Sequence, residues 1–251
     1  MCCFSIMRPR FRLFAPKVHV SKTNIFARFT APGVQALAYG MSIATSREVA
    51  MVLPLPVRGA DEEAVRFIDL ARHPRMFDEL HALFPILMAP VARSKGSLSL
   101  PAPRPKLVVH EIGSFVASFV PTRGDFDRLD PRFRVPDVLF EAVPAYADYG
   151  FAVFQLKPGK VTVHPMAFTF RSRDADRLFF PTVHLHDGTW DETAKFDHAL
   201  YYQHANGTTA GDEQTTTGSA TYEGLLEARY PLQRRTLHGR LANEDTWIAA
   251  A

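Results

Sequence analysis

YGFAVFQLKPGKVTVHPMAFTF, residues 149–170, sets two apolar runs rich in aromatic and β-branched residues on either side of Pro158-Gly159. Runs of this length and composition, bounded by a Pro-Gly pair, read as strands joined by a turn. Phe151–Leu156 and Val161–Phe170 are therefore expected to form a hairpin. A third strand, Leu178–His186, follows, and a fourth, Phe196–His204, comes after a turn over Asp187–Lys195.

The same pattern extends toward the N-terminus. Val18–Phe29 and Val34–Ala44 read as a strand pair about the turn signal Pro32-Gly33. Val49–Val57 is almost wholly apolar, as a buried strand is, although Pro54 and Pro56 bar it from a regular central position. Leu107–Val120 reads as strands around Gly113. Between these lie helical patterns. Asp61 has the chemistry of a helix N-cap, with Ala64, Val65, Ile68 and Leu70 or Ala71 at helical spacing behind it. Met76, Leu80 and Leu83 or Phe84 mark a second short helix. Arg123–Leu129 and Pro136–Tyr146 mark two more, the latter opened by proline in its first turn. The Pro-rich stretch Met88–Lys106 reads as a loop or linker.

The expected fold class is α+β, mostly antiparallel sheet with two segregated helical blocks in a single domain. That domain is assigned to residues 1–205. Residues 206–251 open on the polar, Thr/Gly-rich run ANGTTAGDEQTTTGSA and are expected to be a loosely ordered C-terminal extension. A weak helical pattern over Tyr222–Trp247 offers one peripheral helix.

Composition narrows the function. Hydrophobic residues make up 47% of the 251 and charged residues 22%, as in an ordinary globular protein. A net charge of +3 without a clustered basic face argues against nucleic acid. No apolar run is long enough to span a membrane. The only two cysteines, Cys2 and Cys3, are adjacent, which excludes a disulfide framework and fits a reducing compartment. The first residues lack the order of a signal peptide, so a cytoplasmic protein is expected. GxSxG and Gly-rich phosphate loops are absent.

The residues suited to chemistry are histidines and cysteines. On a strand His184 and His186 share a face, one step apart, where two imidazoles can reach one metal ion. His164 and His198 lie on strands expected to flank them, and His198 completes a three-histidine set. His204 borders the polar run and is expected to be exposed. Asp187 has two readings: a carboxylate orienting a ligand imidazole, or the turn residue that precedes Gly188. Removal of Met1 would leave Cys2 with a free amine beside its thiol, the arrangement of an N-terminal nucleophile. Alternatively Cys2 or Cys3 supplies a thiolate that, with imidazoles, selects copper or zinc. Both cysteines also fit as small buried hydrophobes.

The N-terminal cysteine pair, TNIFARF…VQALAYGMSI, VAMVLPLPV, HEIGSFVASFV, YGFAVFQLKPG and HPMAFTFRSRDADRLFFPTVHLHDG together resemble an uncharacterised bacterial family, a domain of unknown function. The resemblance spans most of residues 2–188. Many members of that family carry a signal peptide before the cysteines, whereas this chain begins Met-Cys-Cys. It implies one domain across both helical blocks and no particular activity.

The leading expectation is a copper- or zinc-dependent enzyme acting on a small molecule or peptide. Its ligands would be His184, His186, His198 and Cys2 or Cys3, with Cys2 and Asp187 as candidate catalytic groups. A cysteine-nucleophile amidohydrolase and a non-catalytic binding or scaffold module are the alternatives.

Overall fold

The computed structural model describes residues 3–5, 19–45, 48–59, 61–84, 110–112, 115–129, 137–157, 159–185, 190–204, 211–218 and 220–250. Among them, fourteen strands form three sheets. The largest has seven strands. In spatial order they are β12 (Glu213–Thr215), β13 (Leu232–Ala242), β11 (Thr193–Gln203), β2 (His19–Ala31), β3 (Val34–Thr45), β9 (Gly159–Arg171) and β5 (Val65–Ile68). The second has five, ordered β1 (Cys3–Ser5), β4 (Val49–Leu55), β8 (Gly150–Leu156), β7 (Phe115–Val120) and β6 (His110–Ile112). β10 (Arg177–Phe180) pairs with β14 (Thr246–Ala249) as a separate ribbon. All pairings are antiparallel except β2 with β11, which run parallel at the centre of the large sheet.

Alternation along the strands sorts side chains into three cores. In β3, Leu37, Tyr39, Met41 and Ile43 face the five-stranded sheet; so do Val49, Met51, Leu53 and Leu55 from β4, and Ala152, Phe154 and Leu156 from β8. The intervening residues of the same strands are also buried. Ala36 and Ala38 lie under the helix α1 (Met76–Ala82), with Met76, Phe77, Leu80 and Phe84 above them. Ala50, Val52, Phe151 and Val153 lie under a second cover. That cover is made by the short helix α2 (Asp137–Ala142), two stretches of 3₁₀ helix at Arg123–Arg128 and Pro144–Asp148, and Val183 and Leu185.

Residues Tyr222–Leu226 complete the cover beside α1. Three consecutive positions there, Tyr222, Glu223 and Gly224, have φ of 45°, 55° and 82°. The buried Arg28 guanidinium donates to the carbonyls of Leu225 at 2.5 Å and Gly224 at 2.9 Å, which holds that backbone down. Desolvation lowers the pKa of Arg28.

Several sequence expectations are corrected. The fold is β-rich, and α+β with two helical blocks does not describe it. The helix placed behind Asp61 shrinks to one 3₁₀ turn, Glu62–Ala64, although Asp61 does cap it by accepting from the Glu63 N–H at 2.9 Å. Val65–Ile68 instead pairs with β9, where Phe67 packs against the rings of Phe154 and Phe168. A free sheet edge and two apolar partners outweigh a marginal local helix propensity. The second block likewise reduces to α2 and its flanking 3₁₀ stretches.

β8 and β9 do not pair with each other. β8 lies between β4 and β7, and β9 between β3 and β5, so the end of β8 at Leu156 and the start of β9 at Gly159 belong to different sheets. Residues 206–251, expected to be loose, contribute β12, β13 and β14, and β13 runs along β11 for ten paired residues. The Met88–Lys106 stretch lies outside the described residues.

Gly40 continues the small outer face of β3. A Cβ there would sit 2.5 Å from Phe77 Cδ2. Gly40→Ala is expected to cost about 1–3 kcal/mol in urea denaturation, the range for overpacking a filled core. Adding Phe77→Leu should recover part of that loss, and strict additivity of the two changes would disprove the clash.

Candidate functional site

The inner face of β11 carries Phe196, His198, Leu200 and Tyr202, all buried, and ends at His204. After β10 the chain leaves its ladder at Phe180 and runs extended across the near end of this face. It thereby places His184 against Phe196 and His198. The three rings touch mutually, with centroids 4.4 Å apart for His184–Phe196 and 5.1 Å for each of the other two pairs. His184 is 9% exposed and His198 1%. His198 Nδ1 accepts from the Asp197 N–H at 3.3 Å, so a neutral ring carries its proton on Nε2.

Residues 182–184 have no ladder partner, and their buried backbone groups are satisfied by side chains of the turn between β13 and β14. Asn243 accepts from the His184 N–H at 2.7 Å and donates to the His184 carbonyl at 3.0 Å. Asp245 Oδ1 accepts from the N–H groups of Thr182 at 2.9 Å and Val183 at 3.2 Å. Tyr146 donates its hydroxyl to Asp245 Oδ2 at 2.5 Å. Thr182 Oγ1 donates to the Glu244 carbonyl at 2.8 Å. Desolvation pushes the Asp245 carboxyl up to about 6, against the pull of its hydrogen bonds.

The sequence-derived residues meet only in part. His184 and His198 do come together. His186, Asp187 and Cys2 lie outside the described residues. Cys3 opens β1, opposite Val52 at the edge of the five-stranded sheet, whereas His198 belongs to the seven-stranded sheet. His164 is not on a neighbouring strand. β2 and β3 separate β9 from β11, roughly 14 Å at the usual strand spacing. His164 stacks on Phe115 at 4.5 Å, and burial lowers its pKa. His204, expected to be exposed, is buried, stacked on Tyr202 at 5.8 Å, with Nε2 3.1 Å from Gln233. Its pKa is also lowered by desolvation. Asp197 accepts from the Lys22 N–H at 2.9 Å, which fixes a bulge of β2 where Lys22 has φ 54°. Among the described residues no three His, Cys, Asp or Glu gather as a metal site.

Sequence reading missed Asn243, Asp245 and Tyr146. The one signal was the polar triplet Asn243-Glu244-Asp245 set just before the apolar run Trp247–Ala250.

A surface depression is lined by Pro56, Arg58, Tyr149, Arg173, Arg177 and Trp247. Arg173 is held by Asp148 at 2.6 Å and the Val57 carbonyl at 2.7 Å, and Arg177 by Asp174 at 2.7 Å. These cations brace the loops around the depression. No described helix is long and apolar enough to cross a membrane.

No family profile and no curated protein matches the sequence. Among solved structures, the crystal structure of baculovirus P35 superposes with a TM-score of 0.50 at 12% identity, covering 99% of both chains. A mutated baculovirus P35 after caspase cleavage gives 0.48 at 11% identity, over 92% of this chain and 100% of that one. The caspase-8/P35 complex gives 0.45 at 10%, over 92% and 96%. The fold is thus that of a P35-like, β-rich protein. The likeness to the whole of P35 is a likeness of fold.

The metal-enzyme reading falls on these findings. Two histidines packed against a phenylalanine, with no third ligand among the described residues, serve the interior.

Asp245 sets a pH dependence. Its folded-state value, about 6, lies above the ordinary carboxylate value of about 3.9. Between these values the folded state keeps a proton that the unfolded chain releases. Stability therefore falls as pH rises through that window and levels off above it. Melting curves across the window should show this slope in the parent and a shallower one in Asp245→Asn; identical slopes would refute the assignment.

Proposed function

We propose that this protein is a non-catalytic binding partner of a caspase-class cysteine protease and restrains that protease on binding. The observation that carries the reading is the P35 fold, matched over 99% of both chains. The solved structures of P35 include a form after caspase cleavage and a complex with caspase-8. The interior agrees with a module that does no chemistry of its own. His164, His184, His198 and His204 are buried among aromatic rings, and the Asp245 carboxylate holds the backbone N–H groups of Thr182 and Val183. The partner is accordingly a protein, in place of the small-molecule or peptide substrate expected from the sequence.

The test is inhibition and co-elution. The full chain is titrated into recombinant caspase-8 and other caspases, with a fluorogenic peptide reporting residual activity. A near-stoichiometric fall in activity and a shared size-exclusion peak are expected with at least one of them, and chelator treatment should change neither. Full residual activity and separate elution across the panel would overturn the reading.

A further inference from the structure

β11 and β13 continue as a two-stranded ribbon past the residues at which β2 and β12 pair with them. β2 pairs with β11 only from His198 onward, and β12 pairs with β13 only over Leu232–Arg234. From Arg235 to Ala242 the outer edge of β13 has no strand beside it among the described residues. Open edges of this length are templates for another strand.

The charges on this ribbon are placed unusually. Arg234 and Arg235, at the covered end, are met by Glu213 at 2.6 Å and Asp212 at 2.9 Å. Farther out, Lys195 and Arg240 stand directly opposite each other in the ladder, and both are exposed. Like charges in that position repel. No carboxylate among the described residues pairs with either. Asp197, on the same face, is engaged by the Lys22 N–H. One edge cation would discourage aggregation, but two cations directly across from each other create a local demand for negative charge. The opposite face of the ribbon is apolar, with Leu237 half-buried and Leu241 38% exposed.

We propose that the edge of β13 from Arg235 to Ala242 receives an extended segment of a partner protein that alternates acidic and apolar side chains. The added strand would complete the ladder through backbone hydrogen bonds. Its carboxylates would lie on the side of Arg240 and Lys195, and its apolar residues beside Leu237 and Leu241. The partner here is recognised by edge and charge, independently of any protease.

The probe is a fluorescein-labelled octapeptide alternating glutamate and valine, followed by fluorescence anisotropy with the full chain at low and at physiological salt. Saturable binding that weakens with salt is expected. Lys195→Glu with Arg240→Glu should weaken it about tenfold, the scale of two reversed rim charges. Two further peptides carry backbone N-methyl groups at alternate residues, in the two possible phases. One phase should lose binding, because it removes the donors that face β13, while its charge is unchanged. No saturable binding would overturn the proposal. So would full affinity in both methylated peptides, or in the charge-reversed protein. Caspase titrations with the same double variant should match the parent, which separates this surface from the protease reading.

Discussion

Both large sheets are apolar on both faces, and covering four faces with 251 residues is the constraint the rest of the chain answers. Two faces cover each other. The outer face of β3 is built of Ala36, Ala38 and Gly40, small enough for α1 to approach until Phe77 meets the strand backbone. Seven helical residues then suffice, because Phe26 and Tyr201, paired across β2 and β11, rise beside that small face to meet them. What α1 leaves open is closed by Tyr222–Leu226, and that turn keeps its left-handed backbone because Arg28 holds its carbonyls. A buried cation is costly unless its donors are used. Here three carbonyls take them, so burial of the charge and closure of the core are one event.

The opposite outer face poses a different problem. Val183 and Leu185 are needed there, but among the described residues 181–184 pair with no strand. Side chains act in place of a ladder: Asn243 mimics a paired residue with one acceptor and one donor, and Asp245 takes two further N–H groups. This arrangement also explains the histidine pair. With Val183 and Leu185 turned to one core, alternation sends His184 the other way, onto Phe196 and His198. The contact that resembles half a metal site is the reverse side of a packing requirement.

Strands whose burial follows from their own pattern were legible. β2, β3, β4, β8, β9 and β11 fall within a few residues of their expected bounds, because period-two or continuously apolar runs leave little choice. Pairing was not legible, since β8 and β9 are joined by a plausible hairpin turn and yet lie in different sheets. A turn signal states that the chain reverses and leaves open what lies beside it. Val65–Ile68 misled for a related reason: its helical spacing is real, but an open edge of β9 was the stronger competitor. β13 was hidden by polarity. Its sequence LQRRTLHGRLA has an exposed end and a glycine at φ 89°, so no apolar alternation marks it, and its register is set by β11. Of the site, period two gave the sides to which His184 and His198 turn, while their contact depends on where residues 182–184 run, outside any ladder. The placement of His164 depended on strand order, which no local pattern encodes.

A 12% identical chain with the same fold over its whole length shows where the structural information resides. At that level few side chains are shared, and what can be preserved is the alternation that assigns each residue to one of the three cores. Such an interior can exchange its members freely so long as each strand keeps its period. It also consumes the polar residues it buries: Arg28, Asn243 and Asp245 spend their hydrogen bonds on backbone and on Tyr146. A protein built this way has its unspent chemistry at its rims, where a ladder ends before its strands do. On β13 the passage from satisfied to unsatisfied can be followed residue by residue, from Arg234 and Arg235 with their carboxylates to Arg240 with none among the described residues.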